Sequence, residues 1–241
     1  MAATLFISDL HLDEDRPQIT DLFLNFLRGE ARSAPALYIL GDLFESWIGD
    51  DDDAPLGLRV QDTLAELAAH GVAVYFMAGN RDFLVGPHFA ARSGLTLLTD
   101  PTQVELGGVP TLLMHGDTLC TDDTEYQKFR RLVRDPAWQQ NFLAQPLPAR
   151  RAFAAQARAQ SREHTGTTRA EIMDVTDGAV RAALREHGAA RLIHGHTHRP
   201  ARHRIELGDR VVERIVLGDW YEQGSVLRVD GERIELAGLS C

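Results

Sequence analysis

Residues 190–200 read Ala-Arg-Leu-Ile-His-Gly-His-Thr-His-Arg-Pro. A short apolar run ends, and histidines follow at 194, 196 and 198. Alternate residues on extended backbone point to one side, so His194 and His196 are read as facing one partner. Gly195 between them lets the backbone pass close to whatever the two rings hold. Neutral imidazole is the commonest metal ligand, and His194 and His196 are therefore assigned as ligands. His198 is left open as a ligand, a hydrogen-bonding neighbour of one, or a solvated loop residue. For the whole stretch the bland alternative is a polar, histidine-rich loop.

Four other places argue against that alternative, because each is a strand-like apolar run ending at a ligand-type residue. Thr4–Ser8 runs into Asp9 and His11. Ala36–Leu40 runs into Gly41-Asp42, Val72–Met77 into Gly79-Asn80-Arg81-Asp82, and Thr111–Met114 into His115-Gly116-Asp117. Ligands in α/β sheets bind beyond the carboxyl ends of strands. The five strand ends are thus expected to gather these side chains along one edge.

The chain of 241 residues is long enough for one large core, and its 44% apolar fraction is that of an ordinary globular protein. Asp and Glu total 35 against 25 Lys and Arg, a formal charge of −10, so the global basic footprint of a nucleic-acid binder is missing and no nucleic-acid partner is expected. Cys120 and Cys241 make no disulfide framework and suit a reducing cytosol; Cys120 is read as a buried spectator. The N-terminus lacks a signal-peptide pattern, and no apolar run approaches the ~18–20 residues of a membrane span. A soluble protein, or one attached only to a membrane surface, is expected.

Ile19, Leu22, Phe23, Phe26 and Leu27 recur at helical spacing, with Gly29 as the stop. Asp50–Asp53 reads as a solvated loop capping the helix marked by Leu56, Val60, Leu64 and Leu67. Asp82 is read as orienting Arg81 or capping the next segment. Gln103–Leu106 with Val109–Met114, and residues 205–207 with Val211–Leu217, read as hairpins, the latter followed by Val226–Val229 and Ile234–Leu236. Residues 124–170 differ in character: aromatic and aliphatic residues lie among nine Lys or Arg, with breaks near Pro136 and Pro146–Pro148. They are read as two or three amphipathic helices inserted into a single domain spanning 1–241, forming a cap with an apolar inner surface and a basic rim.

Asp9, His11, Asp42, Asn80, His115, His194 and His196 are too many ligands for one tetrahedral zinc and suit two cations sharing a carboxylate. The oxygen and nitrogen donors suit Mn, Fe, Zn or Co. In order along the chain, Asp9-x-His11, Gly41-Asp42, Gly79-Asn80, His115 and His194-Gly195-His196 resemble the calcineurin-like metallophosphoesterases. The resemblance implies an α/β fold, a two-sheet β-sandwich flanked by helices, here with the helical cap. It implies one metal on Asp9, His11 and His196, a second on Asn80, His115 and His194, and Asp42 as the bridge. Many members carry His after the Asn as a proton donor, whereas this chain has Arg81. Arginine does not deprotonate at ordinary pH but stabilises charge on phosphorus, which favours cleavage of a pyrophosphate, whose leaving group needs little protonation.

A narrower resemblance, to the family of UDP-2,3-diacylglucosamine hydrolases of lipid A synthesis, rests on Ser8–Leu12, Gly41–Glu45, Gly79–Phe83, His115–Asp123, Glu171–Val175 and His194–Pro200. It implies hydrolysis of the acylated UDP-sugar to UMP and the diacylated sugar 1-phosphate, usually with manganese, at the cytoplasmic face of the inner membrane. Asp42, Asn80, Arg81 and His194 are the catalytic residues it implies. Asn80, Arg81, Asp123, Ser161, Thr165, Thr168 and His194 are its implied substrate contacts; this chain has Thr165 and Thr168 where relatives carry Asn and Lys, with Arg169 adjacent. A general phosphodiesterase or nucleotide pyrophosphatase is the alternative enzyme reading, and a non-catalytic scaffold the third, disfavoured because no ligand is missing.

Overall fold

The computed structural model of the protein describes residues 2–167, 172–231 and 233–240, without the side chains of His164, Thr165 and Thr167. Its frame follows from strands that are apolar on both faces, so each sheet is buried twice. In β1 (Thr4–Ile7), Leu5 and Ile7 pack toward the helices of one outer layer, while Phe6 packs between the sheets. In β2 (Ala36–Leu40), Leu37 and Ile39 point outward and Leu40 inward. The same alternation runs through β3 (Ala73–Met77), where Met77 turns inward and Val74 and Phe76 outward.

One sheet has six strands in the order β11-β10-β1-β2-β3-β4, where β4 is Thr96–Leu98, β10 Gly224–Asp230 and β11 Arg233–Leu239. β1 to β4 are parallel; β10 is antiparallel to β1, and β11 to β10. The other sheet has the order β5-β6-β7-β9-β8, with β5 Thr102–Leu106, β6 Val109–Met114, β7 Arg191–His194, β8 Ala201–Leu207 and β9 Arg210–Val216. β6, β7 and β9 are parallel, and β5 and β8 flank them antiparallel. α1 (Pro17–Arg28), α2 (Pro55–Ala69) and α3 (Pro87–Ser93) cover the first sheet; α7 (Asp177–Glu186) covers the second through Val180 and Leu184. Between β6 and α7 lie three more helices, α4 (Thr124–Val133), α5 (Pro136–Leu143) and α6 (Leu147–Thr167).

β1, β2 and β3 therefore deliver their ends from one sheet, β6 and β7 from the other, and the two parallel sets meet at one rim of the sandwich. Five elements differ from expectation. α3 and β4 have no counterpart in the sequence reading. β8 begins at Ala201, not 205. β10 and β11 leave the β8–β9 hairpin and return to the first sheet beside β1. Trp220, fully buried with its ring edge-on to Phe23 and Phe26 of α1, fixes that return. No helix among the described residues is long and apolar enough to cross a membrane.

Candidate metal centre and adjoining cavities

Beyond the strand ends the backbone turns sharply. Among the described residues, five that are not glycine have positive φ: Asp9 at 57°, His11 at 49°, Asp42 at 54°, His196 at 70° and His198 at 53°. Left-handed backbone costs an L-residue roughly 1–2 kcal/mol, and such residues cluster where surrounding structure holds them for a purpose. All five are metal-ligand types.

Hydrogen bonds hold them. Asp9 accepts from the Ser8 hydroxyl at 2.5 Å and from the His196 backbone N–H at 2.9 Å. Asp42 accepts from the Arg81 N–H at 2.8 Å. Asp82, fully buried, accepts from the N–H groups of Gly79 at 2.8 Å and Leu43 at 2.7 Å, tying the loop after β3 to the loop after β2. Contrary to expectation, it neither orients Arg81 nor caps a helix. Burial and the nearby Asp42 charge push its pKa up to about 6, against the pull of those donors. The glycines are there for close approach: a Cβ on Gly79 would sit 2.1 Å from Asp42 Oδ1, and one on Gly195 2.3 Å from Asp9 Oδ2.

The imidazoles converge on these carboxylates. His115 donates from Nδ1 to the Leu40 carbonyl at 2.9 Å, which leaves its Nε2 facing Asn80 Oδ1 at 3.0 Å. His196 Nδ1 is 2.8 Å from the same oxygen. His11 Nε2 is 3.3 Å from His198 Nε2 and 3.6 Å from Asp42 Oδ2, and His198 Nε2 is 3.4 Å from Asp9 Oδ1. The donor atoms of Asp9, His11 and His198 lie within 4.8 Å of one another, as do those of Asp9, Asp42 and His115. Imidazole nitrogens in contact beside two buried carboxylates form an arrangement that a cation resolves, so the residues fit a divalent metal pair with mixed nitrogen and oxygen donors.

The electrostatics agree. Burial lowers His196 to about 4, with the neighbouring His115 adding to the effect, so its ring is a neutral donor. Burial opposes a charge on His115, but Asp42, Asp117 and Asp9 raise it to about 9. Asp9 stays ionised despite its burial because His198, His115 and His11 surround it. The site draws positive charge to itself.

The histidine pairing differs from expectation by two residues. His196, not His194, meets Asn80 and His115; His198, not His196, meets Asp9 and His11. His194 is the last residue of β7, on the same face as Leu192, which packs toward α7. It is fully buried, its Nδ1 donates to Gly195 O at 2.8 Å, its Nε2 has no hydrogen-bond partner among the described residues, and burial lowers it to about 3. The structure places it neither among the gathered ligands nor where substrate could touch it. The alternation argument assumed extended backbone, and positive φ at His196 and His198 breaks that assumption.

Among the expected substrate contacts, Arg81 donates to the Ser161 hydroxyl at 3.1 Å, and Asp123 caps α4 by accepting from Tyr126 N at 3.0 Å. The side chain of Thr165, and Thr168 and Arg169 entirely, lie outside the described residues. A polar cavity of about 380 Å³ contains His11, Asp42, Asp123, His196 and His198. Beside it an apolar cavity of about 250 Å³ is lined by Trp47, Phe83, Phe129, Trp138, Phe142 and Phe153, among others. Asn80, Arg81, Tyr126 and Ser161 border both. Cys120 is buried at the polar cavity, and burial with the charge of Asp117 raises its thiol to about 12.

Several participants carried no sequence signal. Asp117, fully buried, accepts from the Tyr126 hydroxyl at 2.5 Å and from Arg130 Nε at 2.7 Å, rooting α4 in the loop after His115. Arg134 donates to Gly79 O at 2.8 Å. Tyr221 lays its ring against His11, the centroids 5.3 Å apart. The acidic loop also departs from expectation. Asp50 accepts from the N–H groups of Gly86, His88 and Phe89 at the start of α3, not α2. Asp51 binds Arg150, and Asp52 and Asp53 bind Arg151, both on α6.

Comparison with known proteins places this geometry. The profile of the calcineurin-like phosphoesterases matches residues 3–200. A Stenotrophomonas maltophilia protein named UDP-2,3-diacylglucosamine hydrolase is 58% identical over 94% of this chain and 94% of its own length. A protein of the same name from Xanthomonas campestris pv. campestris is 56% identical over 98% of this chain and 99% of its own. Among solved structures, a novel archaeal phosphodiesterase superposes with a TM-score of 0.50 at 12% identity, covering 98% of this chain and 99% of that one, a likeness of fold alone.

Proposed function

The chain belongs to the calcineurin-like phosphoesterases and, within them, to the family of the UDP-2,3-diacylglucosamine hydrolases, and from that premise we propose that it hydrolyses the pyrophosphate of UDP-2,3-diacylglucosamine. The products are UMP and 2,3-diacylglucosamine 1-phosphate. The observation that carries this reading is the shared wall: a polar, cation-attracting cavity and an apolar one meet at Asn80, Arg81, Tyr126 and Ser161. A substrate with a diphosphate at one end and acyl chains at the other fits that pair of cavities.

Two divalent cations, manganese in this proposal, would be held by Asp9, His11, Asp42, Asn80, His115, His196 and His198, with Asp42 central. When bound they supply Lewis acidity and a water of lowered pKa at neutral pH. Arg81, hydrogen-bonded to Ser161, presents its guanidinium to the phosphoryl oxygens and stays charged throughout. The bond broken joins the uridine-side phosphorus to the bridging oxygen, which leaves with the sugar phosphate. That leaving group needs little protonation, consistent with an arginine where relatives keep a proton donor. Helices α4–α6 act as a cap within one domain, residues 168–170 of the expected cap lying outside the described residues, and Phe153 and Phe142 of the apolar cavity receive acyl chains. The exposed Phe129, Leu132 and Leu143 of the same helices suit contact with the inner-membrane surface where such a substrate resides.

Product analysis in ¹⁸O-water with manganese tests the reading. Label is expected in UMP. Label in the sugar phosphate alone would reverse the site of attack. Turnover of simple phosphodiesters at matching rates would favour a general phosphodiesterase instead.

A further inference from the structure

The chain after β1 and the chain after β2 run side by side. His11 N donates to Asp42 O at 2.9 Å, Leu12 N to Leu43 O at 2.9 Å, and Glu45 N back to Leu12 O at 3.1 Å. This brings Glu45, three residues beyond Asp42, opposite the His11 ring. Glu45 Oε2 lies 2.8 Å from His11 Nδ1, an ion-pair distance at which the two atoms are not aligned as a hydrogen bond and neither has another hydrogen-bond partner among the described residues, and Oε1 lies 2.9 Å from an Arg158 Nη of α6. Arg158 also reaches Asp13 at 3.3 Å. The carboxylate is mostly buried, and it borders the apolar cavity close to the metal-ligand cluster.

We propose that Glu45 is a positioning residue that sets the His11 imidazole for cation binding and links it to helix α6 through Arg158. The proposal rests on the two-metal reading above. An ionised carboxylate only accepts hydrogen bonds, so the facing Nδ1 carries the hydrogen, and the lone pair sits on Nε2 toward Asp42 and His198. The rest of His11 is already fixed: its φ is 49°, Arg16 donates to its carbonyl, and Tyr221 covers its ring. The remaining freedom is ring rotation and tautomer, and Glu45 controls both. Because Arg158 holds the second oxygen of the same carboxylate, displacement of α6 loosens His11, and the seating of that helix is felt at the metal.

Manganese titration of metal-stripped protein by calorimetry, with melting of the stripped protein alongside, tests this. Wild type is expected to take up two ions. Glu45→Gln is expected to weaken one of the two sites about 10–100-fold, the magnitude typical of losing a partner of a metal-bound histidine, and to leave the other unchanged. Arg158→Gln is expected to weaken the same site by a smaller factor, since Glu45 then keeps its place less firmly. If Glu45 only anchors α6, both variants lower the melting temperature and leave both manganese affinities at the wild-type value; that result overturns the proposal. Wild type taking up fewer than two ions would instead overturn the two-metal reading, and this proposal with it.

Discussion

The two halves of the site are held by different means. At the rim of the sandwich the polar groups are buried and the backbone itself is bent to aim them: Asp9, His11, Asp42, His196 and His198 all sit at positive φ, tied by N–H groups of neighbouring loops. Across the apolar cavity, helices α4–α6 carry half-exposed apolar side chains, Leu132 at 55% and Phe129 at 40% exposure among them. Side-chain bonds from Arg130, Arg134, Arg150 and Arg158 hold those helices to distant loops. A rim built from backbone is preorganised for one geometry, which bond-breaking at phosphorus requires. Long side chains, with several rotatable bonds each, fix the helices they moor less tightly than backbone does.

The largest effects are expected at the rim. Asp42→Ala, which removes a carboxylate 3.6 Å from His11 Nε2 and 3.9 Å from His115 Nε2, is expected to lower turnover by at least about 10²–10³-fold, the loss seen when a preorganised electrostatic group is removed. The histidines make the sharper test. His196→Ala and His198→Ala are each expected to lose one manganese ion by elemental analysis, while His194→Gln retains both. Loss of an ion from the His194 variant alone would restore the pairing read from simple alternation.

That histidine run shows where reading the sequence succeeded and where it stopped. The five strand ends, the proline breaks among α4–α6 and the close approach at Gly195 were readable because each depends on local chemistry: an apolar run, a missing N–H, a missing Cβ. The ligand register was not, since alternation holds only on extended backbone and the turn at His196 depends on Asp9 accepting its N–H. α3 is seven residues long and β4 three, too short for a periodic signal. The first four residues of β8, Ala201 to Arg204, escaped because none of them is buried. The role of Asp51–Asp53 depended on arginines about a hundred residues away, and no local pattern carries such a pairing.

A smaller effect is expected in the apolar cavity. Phe142 is nearly buried and belongs to the main core, so its substitution confounds packing with binding; Phe153, 38% exposed, is the better probe. Both pack against Trp138, Phe142 stacked on its ring and Phe153 tilted to it. Phe153→Asp is expected to raise KM for the diacylated substrate roughly 10–200-fold, the range that one apolar group in a pocket governs, with little change for a non-acylated UDP-sugar. Equal losses on the two substrates, with a lowered melting temperature, would reduce these helices to packing.

The smallest effect separates two adjacent arginines that composition treats alike. Both belong to the basic rim expected to steer toward anionic lipid. Arg150, however, is 2% exposed, and besides its fork onto Asp51 it donates to Ile48 O at 2.7 Å and Gln145 O at 2.9 Å. Arg150→Met removes the donors to two carbonyls and is expected to cost about 1–3 kcal/mol, the usual penalty for stranding buried acceptors. Arg151 is 48% exposed; of its partners Asp53 is 78% exposed and Asp52 11%. Arg151→Gln is expected to lower the melting temperature less than Arg150→Met does, because it strands no carbonyl and the exposed pair with Asp53 contributes little. The aspartates already answer the charge of both, so neither substitution is expected to change binding to vesicles containing anionic lipid. Weakened vesicle binding by Arg151→Gln with unchanged melting would show that this corner does face the membrane, and that the aspartates yield their arginine to lipid headgroups on contact.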